Sequence, residues 1–280
     1  MKHTIFYNGN SLTADSLGAE LNSVKIRGKE RLYQGDGVWH GHAPVLFPVC
    51  GKCSMIVGGK DYGIPFHGFA RQTEFTLEEK TDDSLTFSLE SNESTLKVYP
   101  FGFKFFVVYK LTDSGVKVTF RVENTGDKPI TFSLGGHESY LLDKNVGDFK
   151  IEFNEEQNLS RYAFNGVLSA RPTKKYVDMK EFSLPEKYLS TGKTVIFSGV
   201  TAKNVLLKRL DGTPMAKIDV AGFDNLLLWQ PTGEKCICVE PWLTLPDSAK
   251  TIAVEFKDKK GAITLNKGES KTFIRNIEYY

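Results

Sequence analysis

Residues 116–122 read Val116-Lys117-Val118-Thr119-Phe120-Arg121-Val122, and this stretch decides the fold class. Its apolar residues alternate with polar ones at a period of two. Because successive side chains of a β-strand point to opposite faces, the pattern predicts a strand with one face against a core. The stretch is typical of a half-buried strand in an antiparallel sheet.

The same period of two recurs along much of the chain, and turn signals such as Asn124-Thr125-Gly126-Asp127 separate the segments. Helical periodicity is nearly absent, and only 185–189 is predicted to form a turn or two of helix. So many short strands at close spacing predict an all-β sandwich or barrel. The further predicted strands are 73–79, 84–90, 94–99, 103–111, 130–136, 148–153, 194–199, 204–210, 214–220, 225–230, 235–240, 251–256 and 271–278.

The 280-residue chain shows no linker and no internal repeat, so we predict one domain over 1–280. The polar stretch 154–193 is expected to be an irregular excursion across one face. A net charge of +2 without a basic stripe argues against nucleic acid as a partner. No segment approaches the ~20 apolar residues of a membrane span, and the first residues do not resemble a signal peptide. We therefore expect a cytoplasmic protein with no membrane partner.

The four cysteines form two close pairs, Cys50 with Cys53 and Cys236 with Cys238. Close cysteine pairs can bind zinc or carry out redox chemistry. However, Cys236 and Cys238 lie two apart in an apolar strand, where small buried thiols are common. Reduced packing thiols are therefore favoured over zinc and over redox chemistry, and no metal site is expected.

Two histidines have glycine neighbours: His67 precedes Gly68, and His137 follows Gly135-Gly136. Glycine removes side-chain bulk and lets a ligand approach the backbone closely. Strand alternation places His137 opposite the apolar Leu134, so we expect it to face a polar surface or cleft. The alternative for either histidine is a hydrogen-bonded residue at a strand end without a catalytic role.

Glu240 follows an apolar strand in the run Val239-Glu240-Pro241-Trp242. It shares a strand face with Cys236 and Cys238, whose small side chains leave room for a ligand. Partial burial there would raise its pKa and make it a better base near neutral pH. Together with His137, it could remove a proton from one oxygen of a small molecule while another oxygen receives one. The alternative is a plain surface carboxylate.

Arg71 and several aromatic residues lie near these motifs. The fork of donors of Arg71 could bind a sugar hydroxyl or a phosphate, although an exposed arginine without a role is the alternative. Apolar sugar faces stack on aromatic rings, but most aromatics of a β-sandwich belong to the core. Trp242 is the best candidate for a sugar contact because it directly follows the Glu240 motif. The aromatic residues near the motifs are Trp39, Phe66, Phe69, Trp229 and Trp242.

Four motifs in order resemble those of the aldose 1-epimerases, or galactose mutarotase-like proteins, in their LacX-like branch. The resemblance covers nearly the whole chain and implies a large antiparallel β-supersandwich, with the active site in a concave cleft of the larger sheet. The motifs are Ala43-Pro44-Val45-Leu46-Phe47-Pro48, His67-Gly68-Phe69-Ala70-Arg71, Val122-Glu123-Asn124-Thr125-Gly126-Asp127 leading into Gly136-His137, and Val239-Glu240-Pro241-Trp242.

The resemblance also implies roles for six residues and requires no cofactor. Its substrate would be a hexose or pentose, phosphorylated or not, bound by a monomer or weak homodimer. Related proteins often place an arginine before the first motif, where this chain reads His40-Gly41-His42, so phosphate recognition stays open. The implied roles are base for Glu240, acid for His137, assisting ligand for His67, and substrate binding for Arg71, Trp242 and, by a looser alignment, Asp224.

The implied reaction interconverts α and β anomers of an aldose by acid–base opening and closing of the sugar ring. Three alternatives remain. The first is a non-catalytic carbohydrate-binding or regulatory protein on the same fold, and the second is a hexose-6-phosphate mutarotase. The third is a glycoside-processing enzyme, which usually needs two carboxylates and would have to pair Glu240 with Asp224 or Glu138.

Overall fold

A computed structural model describes residues 1–164, 166–248, 250 and 254–280. About 50% of the chain is strand and 7% is helix, so the predicted all-β class is confirmed. The strands are β1 Lys2–Tyr7, β2 Asn10–Asp15, β3 Leu21–Ile26, β4 Lys29–Glu30, β5 Ile56–Val57, β6 Lys60–Asp61, β7 Thr76–Lys80, β8 Ser84–Glu90, β9 Phe103–Leu111, β10 Gly115–Asn124, β11 Ile130–Phe132, β12 Glu138–Leu141, β13 Phe149–Tyr162, β14 Lys174–Ser183, β15 Val195–Ser198, β16 Asn204–Arg209, β17 Pro214–Asp219, β18 Asn225–Trp229, β19 Cys236–Trp242, β20 Ile263–Leu265 and β21 Ser270–Tyr279.

Thirteen of these strands form one large antiparallel sheet. Its order is β12-β19-β18-β15-β13-β16-β17-β21-β10-β9-β8-β7, with β14 paired to β13. The alternating stretch 116–122 lies within β10, where Val116, Val118 and Val122 are buried and Lys117 and Arg121 are only partly buried. Its predicted alternation is therefore confirmed.

The first four strands form a separate sheet in the order β1-β2-β3-β4, which the sequence analysis did not predict. In β2 the buried positions are Asn10, Leu12 and Ala14. Two of these three residues are apolar. The third, Asn10, can be buried because its side-chain amide donates hydrogen bonds to two backbone carbonyls. Hydrophobic periodicity is consequently weak in a strand that nevertheless alternates between buried and half-buried residues.

The predicted irregular excursion over 154–193 is wrong, because β13 extends through its first part and pairs with β14. Most residues of β14 are exposed, so this strand depends on backbone pairing and shows little hydrophobic alternation. The helix predicted over 185–189 is present as α2, Glu186–Leu189. It follows β14 and precedes β15.

The strand predicted over 94–99 is also wrong, because Glu93–Val98 forms an α-helix, α1. The side chain of Asn92 accepts hydrogen bonds from the backbone N–H groups of Ser94 and Thr95, and the Thr95 hydroxyl accepts one from the backbone of Asn92. This capping box satisfies donors that the first turn leaves unpaired, and it outweighs the β-like apolar pattern.

Of the strand predicted over 251–256, residues 251–253 lie outside the described residues. Phe256–Asp258 forms a short 3-10 helix instead of a strand. Neither of the two α-helices in the described part of the chain is long and apolar enough to cross a bilayer.

The four cysteines are free and buried. Burial raises the pKa of the Cys53 and Cys236 thiols to about 12, which keeps them protonated near neutral pH. Ile237 and Val239 point into the main hydrophobic core. A second, smaller apolar cluster lies beneath the cavity described below and consists of Leu46, Cys50, Leu168, Ile196, Leu227 and Trp242.

Candidate active site

Three neighbouring strands of the large sheet form the floor of a cavity. Ile196 of β15 pairs with Leu227 of β18, and Leu227 pairs in turn with Glu240 of β19. Because paired residues of an antiparallel sheet share a face, these three side chains lie side by side across the strands. On the same face of β18 and β19, Trp229 pairs with Cys238.

The cavity above this floor has a volume of about 250 Å³. All three tryptophans of the chain line it, together with both histidines that the sequence analysis singled out. The lining residues are Trp39, Pro44, Gly51, Phe66, His67, Arg71, His137, Phe164, Gly192, Thr194, Ile196, Leu227, Trp229, Glu240, Trp242 and Pro246. The structure therefore brings together five of the six predicted site residues.

His137 lies directly before β12, opposite Glu240. The register of β12 and β19 pairs Glu138 with Val239, which brings the preceding histidine next to the following carboxylate. The Nε2 atom of His137 is 3.4 Å from Oε2 of Glu240, and both side chains are buried. The Nδ1 atom of His137 has no hydrogen-bond partner.

The strand predicted over 130–136 ends early, since β11 stops at Phe132. The two glycines before His137 make room for protein side chains and not directly for a ligand. A Cβ on Gly135 would lie 2.6 Å from a ring carbon of Trp242, and one on Gly136 would overlap the guanidinium of Arg275. Glycine is needed at both positions because only hydrogen fits there.

His67 reaches the cavity through an unusual backbone conformation, with a φ of +65°. Its Nδ1 accepts a hydrogen bond of 3.0 Å from the backbone N–H of Gly51. A neutral imidazole that accepts at Nδ1 carries its proton on Nε2, so His67 has one N–H left to donate. Its ring lies 5.2 Å from that of Trp242 and 5.7 Å from that of His137.

Burial shifts the pKa values of His137, His67 and Glu240 in the directions that favour their neutral forms. It lowers the pKa of His137 to about 4 and that of His67 well below its usual range. Burial also raises the pKa of Glu240 well above its usual range, and the charge of Glu138 adds to this. Burial therefore favours the neutral forms of both His137 and Glu240, with the proton of the pair on the glutamate.

Glu138, the residue after the candidate acid, has a different environment. Its carboxylate accepts two hydrogen bonds from the guanidinium of Arg275, of 2.7 and 2.9 Å, and both side chains are buried. It does not line the cavity. This paired carboxylate is therefore a poor second carboxylate for glycoside chemistry beside Glu240.

Arg71 lines the cavity with part of its guanidinium unpaired. Its Nη2 donates to the backbone oxygen of Phe66 at 3.3 Å, and its Nε is buried without a partner. Asp224, in contrast, is exposed and lines a neighbouring cavity together with Asn225. Its assignment to the sugar stays a prediction, as do the roles of the other site residues.

Within the described part of the chain, one group of three side chains has the spacing of a metal site. The ligand atoms of His137, Cys238 and Glu240 lie within 4.8 Å of one another. Burial raises the pKa of the Cys238 thiol well above its usual range. A metal ion would bind the thiolate, so it would have to displace the proton that burial favours on Cys238.

Several residues of the cavity had no predicted role. Trp39 lies over His137, with ring centres 5.6 Å apart, and meets Trp229 edge-on at 5.3 Å. Both tryptophans had been noted as aromatic neighbours of the motifs, whereas Phe69, noted with them, belongs to the core. Ile196 carried no sequence signal, because only strand pairing brings it near Glu240.

Known proteins share sequence and fold with this chain. A family model described as aldose 1-epimerase matches residues 3–278. The plasmid-encoded protein LacX of Lactococcus lactis subsp. lactis is 29% identical over 257 residues, covering 83% of this chain and 84% of that protein.

Two solved structures share the fold across the whole chain. A galactose mutarotase related enzyme from Lactobacillus acidophilus has a TM-score of 0.90 at 27% identity, covering 100% of this chain and 97% of that one. A galactose mutarotase-like protein from Lactobacillus casei ATCC 334 has a TM-score of 0.89 at 28% identity, with both chains fully covered. With a family match from residue 3 to residue 278, the chain belongs to the aldose 1-epimerase family.

Proposed function

We propose that this protein interconverts the α and β anomers of an aldose, with His137 and Glu240 as the catalytic acid and base. The observation that carries the proposal is the 3.4 Å contact between Nε2 of His137 and Oε2 of Glu240 in the cavity wall. In a cyclic aldose the ring oxygen and the anomeric hydroxyl are bonded to the same carbon. An acid and a base that touch each other can therefore reach both oxygens at once.

The reaction needs one proton to leave the sugar and one to enter it. Glu240 removes the proton of the hydroxyl on C1 while His137 protonates the ring oxygen, and the ring opens to the free aldehyde. Rotation about the C1–C2 bond presents the other face of the carbonyl group. The ring then closes with both transfers reversed, which restores the acid and the base.

A bound sugar would prepare the pair for this role. A hydroxyl that donates to Glu240 and a ring oxygen that accepts from His137 both stabilise the charged forms, which lowers the pKa of the carboxyl and raises that of the imidazole. The proton that burial favours on Glu240 then moves to His137 across their direct contact. Nε2–H of His67 and the unpartnered Nε1–H of Trp242 supply further donors for sugar oxygens.

The test is the anomerisation rate of the variants Glu240→Gln and His137→Asn. We expect each substitution to lower kcat by a factor of about 10² to 10⁴, because each removes one proton-transfer group. The rate is measured by polarimetry of freshly dissolved sugar or by NMR saturation transfer between anomers. The matched control is His40→Asn, since His40 is exposed and does not line the cavity. Unchanged rates in both site variants would refute the assignment.

A non-catalytic sugar-binding protein is the second candidate. It would bind an aldose in the same cavity without accelerating anomer exchange. The buried contact of an imidazole with a carboxylate argues against it, since simple binding does not require an acid and a base in contact. Sugar binding by calorimetry combined with no anomer exchange would favour this candidate.

A further inference from the structure

The cavity floor has one polar end and one apolar end. Glu240, Leu227 and Ile196 are in register on adjacent strands, and neighbouring strands lie about 4.8 Å apart. Leu227 is therefore about 5 Å from the carboxylate in the direction across the strands, and Ile196 is about 10 Å from it. Both side chains are buried, and Phe164 lines the cavity with them. We call Leu227 and Ile196 the shelf.

A sugar with its anomeric carbon at Glu240 would cover the shelf with the rest of its ring. A hydroxyl that faces Leu227 or Ile196 loses its hydrogen bonds to water and finds no partner there. A carbon face with only C–H bonds instead gains by burying the apolar area of both side chains. The polar groups available to hydroxyls are Thr194, two residues before Ile196, and, elsewhere on the wall, His67, Arg71 and Trp242.

The charges of the lining residues disfavour a phosphorylated sugar. A phosphate monoester carries about −1.5 to −2 charges near neutral pH and needs cationic donors when it is taken out of water. Among the described lining residues Arg71 is the single lysine or arginine, and one of its donors is already used by the backbone oxygen of Phe66. Glu240 in the same cavity would repel a phosphate when ionised.

We propose, building on the anomerase function above, that the cavity takes an unphosphorylated aldose that lays a C–H face on the shelf, and that Leu227 determines this specificity. The shelf then holds the ring, while His137 and Glu240 act on the oxygens at C1. A sugar phosphate is a poor substrate because its charge meets apolar side chains and a carboxylate.

The first experiment compares the anomerisation of glucose, xylose and glucose 6-phosphate by the unmodified protein. We expect kcat/KM for glucose 6-phosphate to be at least about tenfold below that for glucose, because an uncompensated charge is costly beside buried apolar side chains. A value for the phosphate equal to or above that for glucose overturns the proposal.

The second experiment measures binding without catalysis. The three tryptophans of the chain all line the cavity, so fluorescence excited selectively at tryptophan reports on this site. Titration with the same sugars should show tighter binding of glucose than of glucose 6-phosphate. If this order holds while no sugar is anomerised, the catalytic function fails and the shelf proposal stands. Tighter binding of the phosphate overturns the shelf proposal whatever the activity.

The third experiment changes the shelf itself. Leu227→Asn should raise KM for glucose by about tenfold and change kcat much less, because a leucine side chain has no group that transfers a proton. Leu210→Asn is the matched control and should keep KM near its original value, because Leu210 is exposed and does not line the cavity. If Leu227→Asn does not fold, Ile196→Thr tests the same surface with a smaller change of shape. An unchanged KM in a folded shelf variant with a polar substitution overturns the proposal.

Discussion

The stability of the folded protein should depend on pH through His137. Burial lowers the pKa of this imidazole from 6.5 to about 4, because no water solvates its charged form. The unfolded chain therefore binds a proton at His137 between pH 6.5 and pH 4 that the folded chain does not bind. The free energy of unfolding consequently falls as the pH falls through this window.

The size of the effect follows from the shift. With a pKa of 6.5 unfolded and about 4 folded, lowering the pH from 7 to 4.5 removes about 2 kcal/mol of stability at this one residue. Glu240 acts in the opposite sense, since its raised pKa stabilises the fold as the pH falls toward its ordinary range. His67 adds to the loss at low pH because its pKa is lowered as well.

Comparison with His137→Asn measures how much of the pH dependence requires this histidine. Both proteins are unfolded with urea at pH 7 and at pH 4.5, and the free energies of unfolding are extrapolated to water. Glu240 and His67 remain in both proteins, so the difference reports the titration of His137 together with its coupling to these two neighbours. We expect the variant to gain about 2 kcal/mol relative to the original protein on acidification. A difference that is the same at both pH values would show that His137 is not held neutral by burial.

Three further predictions concern stability, each measured by urea or thermal unfolding. Gly68→Ala should lower the free energy of unfolding by about 3 kcal/mol or more, because the φ of Gly68 is +74° and a Cβ would overlap a backbone carbonyl. Its control is Gly9→Ala, where φ is +77° but the space is open, and the loss should be only about 1 kcal/mol. Arg275→Met should cost about 3–5 kcal/mol because it leaves Glu138 buried without its partner, and adding Glu138→Gln should recover part of the loss. Asn92→Ala should cost about 1 kcal/mol through the lost helix cap. Equal losses in Gly68→Ala and Gly9→Ala would contradict the first prediction. The second fails if Glu138→Gln recovers no stability, and the third fails if Asn92→Ala loses none.

β9 and β10 could be predicted from the sequence because each has an apolar face, whereas β14 could not. The alternation in β9 and β10 matches the buried positions closely. In β14 most side chains are exposed on both faces, so periodicity carries no signal and backbone pairing decides. The helix at Glu93–Val98 could have been predicted from Asn92 and Thr95, whose spacing is that of a capping box.

The acid–base pair was predictable because each member carries a local signal. His137 follows two glycines, and Glu240 interrupts an apolar strand. The shelf had no such signal, since leucine and isoleucine are ordinary in any strand. Only the register of β15, β18 and β19 shows that these two side chains lie beside the carboxylate and not in the main core.

This difference explains why the chemistry of the site is more evident in the sequence than its substrate. Proton transfer requires ionisable groups, which are rare in apolar strands and therefore conspicuous. Selection of the sugar depends on apolar side chains and on the shape of the floor, which arise from pairing between segments that are far apart in the chain. A substitution at Leu227 should thus alter which sugar binds without altering how the ring opens, and a substitution at Glu240 should do the reverse. If Leu227 variants change mainly KM and Glu240 variants change mainly kcat, then two residues that are paired across adjacent strands serve binding and catalysis separately.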